Sequence, residues 1–225
     1  MSVSTIALYI INDQEWSCHV FEEMIDELPH EFHKKARRFR FWNDRQAFVL
    51  GKLLIKKILN DYTHLGLKDI QYTEYGKPFV LDEISFNISH SGKYVICLFS
   101  LTKNLLGIDI EKKDPRIKIS DFEEVLIPKE NYQLINSDNT IESFFDLWTI
   151  KEAGMKADGR GLNIPLREIR IDTQYIEIEK TKWYYRSLFI DKDYKCHLVV
   201  DSSEFDVSVK KVEVKELIKD KLLAH

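Results

Sequence analysis

Two carboxylates on one face of a strand repel each other unless a cation offsets their charge. The stretch Gly107-Ile108-Asp109-Ile110-Glu111, inside the apolar run LLGIDIE, presents that case. Side chains at i and i+2 of a strand point the same way. Asp109 and Glu111 therefore share one side and Ile108 and Ile110 the other. Two hard oxygen ligands set side by side suit Mg²⁺ or Mn²⁺. A solvated strand end, neutralised by Lys112 and Lys113, is the competing reading.

A third acid lies in TIESFFDLWTIKEAGMKA. The apolar series Ile141, Phe145, Trp148 and Met155 steps by helical intervals, and Glu152 falls within it. The stripe predicts a core-facing helix side with a carboxylate where a hydrophobe belongs. Such a group is costly unless it is paired or ligated. Lys156 follows four residues later on the same side. Either the two form a local pair, or Glu152 is a third metal ligand and Lys156 neutralises an anion beside the metal.

Other polar features have two readings each. FNISHSG (86–92) breaks a strand with hydroxyls, an imidazole and backbone N–H groups; it is a plain polar turn or a phosphate-holding one. Ser89 and His90 without an acid in register make a poor hydrolase triad. HKKARRF (33–39) carries Lys34, Lys35, Arg37 and Arg38 as a solvated helix face or an anion site. EYGKP (74–78) is a turn with an exposed lysine, Lys77. There is no Walker A loop, GxGxxG, GxSxG, HExxH or zinc-type Cys/His spacing.

The surrounding pattern must position these groups. TIALYII reads as a strand, and HVFEEMIDEL and HEFHKKARRFRF as helices. DRQAFVLGKLLIKKILNDY reads as a strong helix with Asp44 as its N-cap. IQYTEYGKPFV is extended with a turn at 76–78, and SFNISHSGKYVICLFSL is two extended pieces broken near SHSG. LLGIDIE is a strand, SDFEEVL and PKENYQLI are short helices, and TIESFFDLWTIKEAGMKA is a long one. LREIRIDTQYIEIEKTKWYYRSLFI and KCHLVVDS are strands. The order strand, short helices, long helix, strands occurs twice. This predicts an α+β chain of two similar halves, 1–102 and 103–225.

Composition agrees with a folded domain of ample core: 225 residues, 44% hydrophobic and 31% charged. The 37 acids against 33 bases give a net charge of −4, with no global basic excess for nucleic acid. No apolar run approaches the roughly 20 residues that span a bilayer. The start lacks a basic segment and a small-residue cleavage site, so no signal peptide is expected. Cys18, Cys97 and Cys196 are far apart and odd in number, which fits a reducing cytoplasm.

In order along the chain, EYGKP, FNISHSG, GIDIE and LWTIKEAGMKADGRGL resemble the motifs of the surfactin-synthetase-type 4′-phosphopantetheinyl transferases, in the holo-carrier-protein synthase superfamily. The resemblance implies a pseudo-dimer of two α+β halves with the active site in the cleft between them. It implies transfer of phosphopantetheine from coenzyme A to a serine of an apo acyl or peptidyl carrier protein, releasing adenosine 3′,5′-bisphosphate. By position, Asp109, Glu111 and Glu152 would hold Mg²⁺, with Mn²⁺ an alternative. Glu152 would deprotonate the serine, and Lys156 would neutralise the leaving phosphate. Ser89 and His90 would meet coenzyme A phosphates. Tyr75, Gly76 and Lys77 would lie along adenine and ribose, and Lys35 would meet the 3′-phosphate. The family often has a second lysine where this chain has Phe32; Lys34 or His33 are the neighbours that could substitute. Ile117, Phe122 and Leu126 either dock the carrier or pack a short helix. A monomer is the expected state. Two other classes stay open: a non-catalytic module that binds coenzyme A or a carrier, and a metal-dependent phosphohydrolase.

Overall fold

The computed structural model describes residues 3–81 and 84–218. Two sheets lie face to face, with helices on both outer sides. The first sheet has the order β11-β1-β5-β4, where β1 is Val3–Ile11, β4 Ser85–Ser91, β5 Tyr94–Ser100 and β11 Phe205–Lys211. The second has the order β6-β10-β9-β8-β7, from β6 Leu106–Lys112, β7 Arg170–Ile171, β8 Tyr175–Ile178, β9 Thr181–Ser187 and β10 Tyr194–Val200. A small hairpin pairs β2 Gln71–Tyr72 with β3 Pro78–Phe79.

Alternation assigns each strand residue to a layer. From the first sheet, Leu8, Ile10, Val95, Cys97 and Phe99 face helices α1 Cys18–Asp26, α2 His30–Arg38 and α3 Trp42–Tyr62. Their neighbours Ala7, Tyr94, Ile96 and Leu98 face Ile108, Ile110, Cys196 and Leu198 of the second sheet. β5 is thus buried at every residue. The second sheet's other face receives helix α5, Thr140–Asp158, through Ala153, Ala157, Ile176, Trp183 and Val199. The layer order is helices, sheet, sheet, helix, an α+β architecture.

The elements differ from the sequence expectation in four places. α3 begins at Trp42 after an extended Phe41, so Asp44 lies inside the first turn and is not the N-cap. It still favours the helix N-terminus through the dipole. SDFEEVL forms a 3₁₀ turn, Ile119–Val125, whereas PKENYQLI gives the α-helix α4, Pro128–Ile135. The run from Leu166 forms strands as expected, three of them, but opens with a short 3₁₀ turn. Its β8–β9 turn uses Glu179 and Lys180 at φ 48° and 71°. Two-residue hairpins need positive φ there, usually from Gly or Asn, so the sequence carries no turn signal. Finally, β11 was not anticipated. It pairs parallel with β1, Val3 against Phe205, so the late chain completes the first sheet.

Candidate active site

Gly107 explains how the acids of β6 meet α5. A Cβ on Gly107 would lie 2.1 Å from Ala153 O and 2.4 Å from Ala157 N. Only glycine lets the helix backbone approach the strand this closely. The residues at i+2 and i+4, Asp109 and Glu111, point to the same side, while Ile108 and Ile110 are fully buried against the first sheet. The sequence reading of the two faces holds.

Asp109 is buried, and its Oδ1 receives Lys156 Nζ at 2.6 Å and Ser89 Oγ at 2.9 Å. Lys156 Nζ also donates to Ser89 Oγ at 2.9 Å. Asp109 Oδ2 is buried without a hydrogen-bond partner among the described residues. Glu111 accepts from Ser91 Oγ at 2.7 Å. Burial, then repulsion from Asp109, pushes its carboxyl up to about 7. Glu152, half-buried on α5, is raised as well, by burial and then by Asp109, with Lys156 opposing. The three acids, Lys156 and Ser89 thus occupy one electrostatic neighbourhood.

The side chains that hold this neighbourhood come from β4 and accept from backbone N–H groups of β6. Asn87 Oδ1 accepts from Ile108 N at 2.9 Å, Ser89 Oγ from Ile110 N at 3.4 Å, and Ser91 Oγ from Lys112 N at 3.0 Å. Every second residue of β4 therefore meets every second N–H of β6 in a constant, parallel register. Side chains, rather than a backbone ladder, join the edges of the two sheets. FNISHSG is accordingly strand as far as Ser91, with its turn at Gly92. His90 points away from this seam and reaches solvent. Its pKa is held below the usual imidazole value by desolvation and also by Lys156; Asp44 and Asp109 oppose the shift.

Lys77 is not an exposed turn lysine. Its Nζ donates to Ala157 O at 2.6 Å and Leu106 O at 3.2 Å, tying the β2–β3 hairpin to the C-terminal end of α5 and the start of β6. Burial lowers it to about 8. Its stem fits beside Gly159, which ends α5 at φ 91°. Tyr75 and Lys77, with Phe79, Leu105, Asp158 and Arg160, line a groove of about 710 Å³. Gly76 makes the hairpin turn at φ 82°. Lys35 is apart from the acids, on α2, with its ammonium 5.7 Å from the Phe48 ring centre.

Glu152 does not lie in the middle of an apolar stripe. α5 is buried on several sides, by Phe144, Phe145, Ile150, Ala153 and Met155, and Glu152 and Lys156 emerge at its edge. The fully buried ion of α5 is Lys151, which sequence reasoning missed. Its Nζ lies 2.8 Å from buried Glu130 and donates to Leu166 O at 2.9 Å. This pair pins α4 to α5 one residue before Glu152. Ile117, Phe122 and Leu126 pack into the aromatic cluster of Phe144 and Trp148, with Leu126 buried. Nearby, Tyr132 and Ile135 of α4 are exposed.

Among the described residues, no three His, Cys, Asp or Glu side chains form a ready metal-holding array. Lys156 occupies one oxygen of Asp109, and Glu152 stands on the other element, α5. The donor set still suits a hard divalent ion. It consists of carboxylates, one oxygen is buried without a partner, and Glu111 is raised in part by Asp109.

Residues 14–101 match the family described as 4′-phosphopantetheinyl transferase, N-terminal, and residues 105–209 match the 4′-phosphopantetheinyl transferase superfamily. The chain is 34% identical to 4′-phosphopantetheinyl transferase gsp of Aneurinibacillus migulanus, across 93% of this chain and 92% of that protein. It is 30% identical to 4′-phosphopantetheinyl transferase Sfp of Bacillus subtilis (strain 168), across 93% of this chain and 98% of that protein. With these matches running through the seam of β4, β6 and α5, the chain belongs to the Sfp-type 4′-phosphopantetheinyl transferases.

Proposed function

We propose that this chain transfers the 4′-phosphopantetheine group of coenzyme A to a serine hydroxyl of an apo acyl or peptidyl carrier protein, with Mg²⁺ as its metal. The observation that carries the reading is the cluster of Asp109, Lys156 and Ser89, with Glu111 and Glu152 in its field. A metal bound by Asp109, Glu111 and Glu152 would supply charge neutralisation for the pyrophosphate.

The chain's own residues have distinct tasks. The serine oxygen forms a bond to the pantetheine-bearing phosphorus, and the phosphoanhydride bond to the nucleotide breaks. Adenosine 3′,5′-bisphosphate leaves with the electron pair. Glu152 takes the serine proton; its raised affinity for protons suits a base working near neutral pH. Lys156 shifts from Asp109 toward the leaving phosphate and balances its charge. Ser89 and His90 orient the phosphates. Tyr75 and Gly76 flank the adenosine, and Lys77 anchors their hairpin. Phosphoryl transfer needs such positioning and charge balance more than covalent assistance.

We further infer that 1–102 and 103–225 act as the two halves around this seam, and that the chain works as a cytoplasmic monomer. No described helix is long and apolar enough to cross a membrane. The test mixes the protein with apo carrier proteins, coenzyme A and Mg²⁺ and follows carrier mass. A gain of one phosphopantetheine unit on at least one carrier is expected. Tight binding of coenzyme A or carrier without any mass gain would assign a non-catalytic binding module instead. Phosphate release without a carrier would assign a hydrolase.

A further inference from the structure

Phe32 stands on α2 where the family often has a lysine, and its ring is buried. His33 is engaged elsewhere: its Nε2 lies 2.9 Å from the Leu28 carbonyl oxygen and its ring packs edge-on against His30. A different helix brings an ammonium to this place. On α3, Asp44, Phe48 and Lys52 follow at intervals of four and share a face. Lys52 Nζ lies 4.9 Å from the Phe32 ring centre and 5.7 Å from that of Phe48. Lys35 Nζ lies 5.7 Å from the same Phe48 ring. The two rings are themselves neighbours, 6.4 Å apart.

Two ammoniums therefore share one aromatic platform. Aromatic faces attract a cation but leave its charge intact. Among the described residues, neither Lys35 nor Lys52 has an ion-pair or hydrogen-bond partner. Lys52 is pulled down to about 8 by burial and then by the charge of Lys35, with Cys97 and then Glu31 opposing. An anion between the two would relieve this repulsion. The platform also lies along a path from the seam. Asp44 acts on His90, and Lys52 is about 12 Å farther along α3 at 1.5 Å per residue. Glu31 acts on both Lys52 and Tyr72 of β2.

We propose that Lys52, together with Lys35, binds a phosphomonoester dianion and supplies the charge that Phe32 does not. The identity of the ligand rests on the coenzyme A reading above. Coenzyme A has a pyrophosphate diester, with one negative charge per phosphorus, and a single phosphomonoester, on the ribose 3′ oxygen. The monoester has the greater charge and the free oxygens to meet two ammoniums. Lys52 is thus a specificity residue for the 3′-phosphorylated form of the co-substrate.

The experiment measures binding of adenosine 3′,5′-bisphosphate and of AMP by calorimetry. It also measures transfer from coenzyme A and from 3′-dephospho-coenzyme A. The native protein should bind the bisphosphate about tenfold or more tighter than AMP, the scale of one charge-assisted contact. Lys52→Met keeps an apolar stem over the rings. It should lose most of that ratio, leave AMP binding unchanged, and raise KM for coenzyme A alone. Lys52→Arg should preserve the ratio, and adding Phe32→Lys to Lys52→Met should restore it. An unchanged ratio in Lys52→Met, or equal weakening of both nucleotides, overturns the proposal. If the nucleotide ratio behaves as expected but the native protein transfers from neither co-substrate, the phosphomonoester site stands and the transferase reading falls.

Discussion

Lys156 and Lys52 are two half-buried lysines in opposite surroundings. Lys156 is clasped by Asp109 and Ser89, with Glu111 and Glu152 beside it. Lys52 sees two phenylalanine rings and a second lysine. At the seam, one ammonium is bound to Asp109 with two more carboxyl groups in its field; on the platform, two ammoniums share two rings, with Glu31 acting on Lys52. The carboxylate-rich seam favours a positive charge and the lysine-bearing platform a negative one. Under the proposed function, a molecule carrying phosphates at two points would use both. The comparison teaches that counting charged residues is uninformative here, since both places contain lysine, and that what lies within a few ångströms decides the sign of the ligand.

Asp109→Ala should break the seam most severely. It removes the oxygen that lacks a partner and frees Lys156 from its clasp. Loss of metal-assisted charge balance should lower transfer by about 10³-fold or more. Circular dichroism should show the fold retained, because Gly107, Ile108 and Ile110 still pack as before. Undiminished transfer would remove Asp109 from the metal set. Glu152→Gln tests the base with the cluster otherwise intact. Removing a general base costs about 10²–10⁴-fold. The fall should appear in kcat, with KM for coenzyme A nearly constant; a change confined to KM would give Glu152 a binding role.

Gly107→Ala sharpens the comparison through the backbone, because at Gly107 the strand lies directly against helix backbone. The new methyl would meet Ala153 O and Ala157 N, which are backbone atoms that cannot swing aside. Overpacking of this kind costs about 1–3 kcal/mol. The thermal midpoint should fall by several degrees, and transfer should fall with it as α5 carries Glu152 and Lys156 away from β6. The nucleotide preference of the Lys52 platform should persist, because Gly107 does not touch it. Equal damage to both would mean that the two places are one cooperative unit.

Much of the seam was legible in the chain because it uses local periodicity. The i, i+2 spacing in GIDIE assigned Ile108 and Ile110 to the core and both acids to the other face, as observed. The long helix was legible too, but not its orientation. A helix covered on several sides has no single stripe, so Glu152 looked central and Lys151 looked ordinary. The rest depends on contacts between residues far apart. The Lys151–Glu130 pair, the β1–β11 pairing and the bonds that Asn87, Ser89 and Ser91 accept from β6 all leave no periodic trace. Lys77 seemed exposed because turns usually are; its carbonyl partners lie on β6 and α5. Lys52 sat within an apolar helix and attracted no notice, since its environment comes from α2.

The mildest perturbation is Ser91→Ala, and it separates seam geometry from seam charge. Ser91 Oγ donates to Glu111 and accepts from Lys112 N, so its loss removes one link between the sheets. Two sheet links, at Asn87 and Ser89, remain, so stability should drop by only about 1 kcal/mol. The larger effect is on protonation. The Ser91 hydrogen bond lowers the Glu111 pKa, opposing the burial and repulsion that raise it to about 7. Without it, Glu111 should hold its proton to higher pH. A carboxyl group must be ionised to bind a metal, so the Mg²⁺ concentration for half-maximal transfer should rise as pH falls below about 7 in the native protein. In Ser91→Ala this rise should begin at higher pH. The linkage for folding has the same origin: a raised carboxyl favours the folded state below its unfolded pKa, and this contribution is lost as pH rises through about 7. Metal-free native protein should therefore lose stability between pH 4.5 and 7, and Glu111→Gln should flatten that slope. If Mg²⁺ demand follows the same pH curve in native and Ser91→Ala proteins, the hydroxyl serves the sheet seam only, and Glu111 is tuned by burial and Asp109 alone.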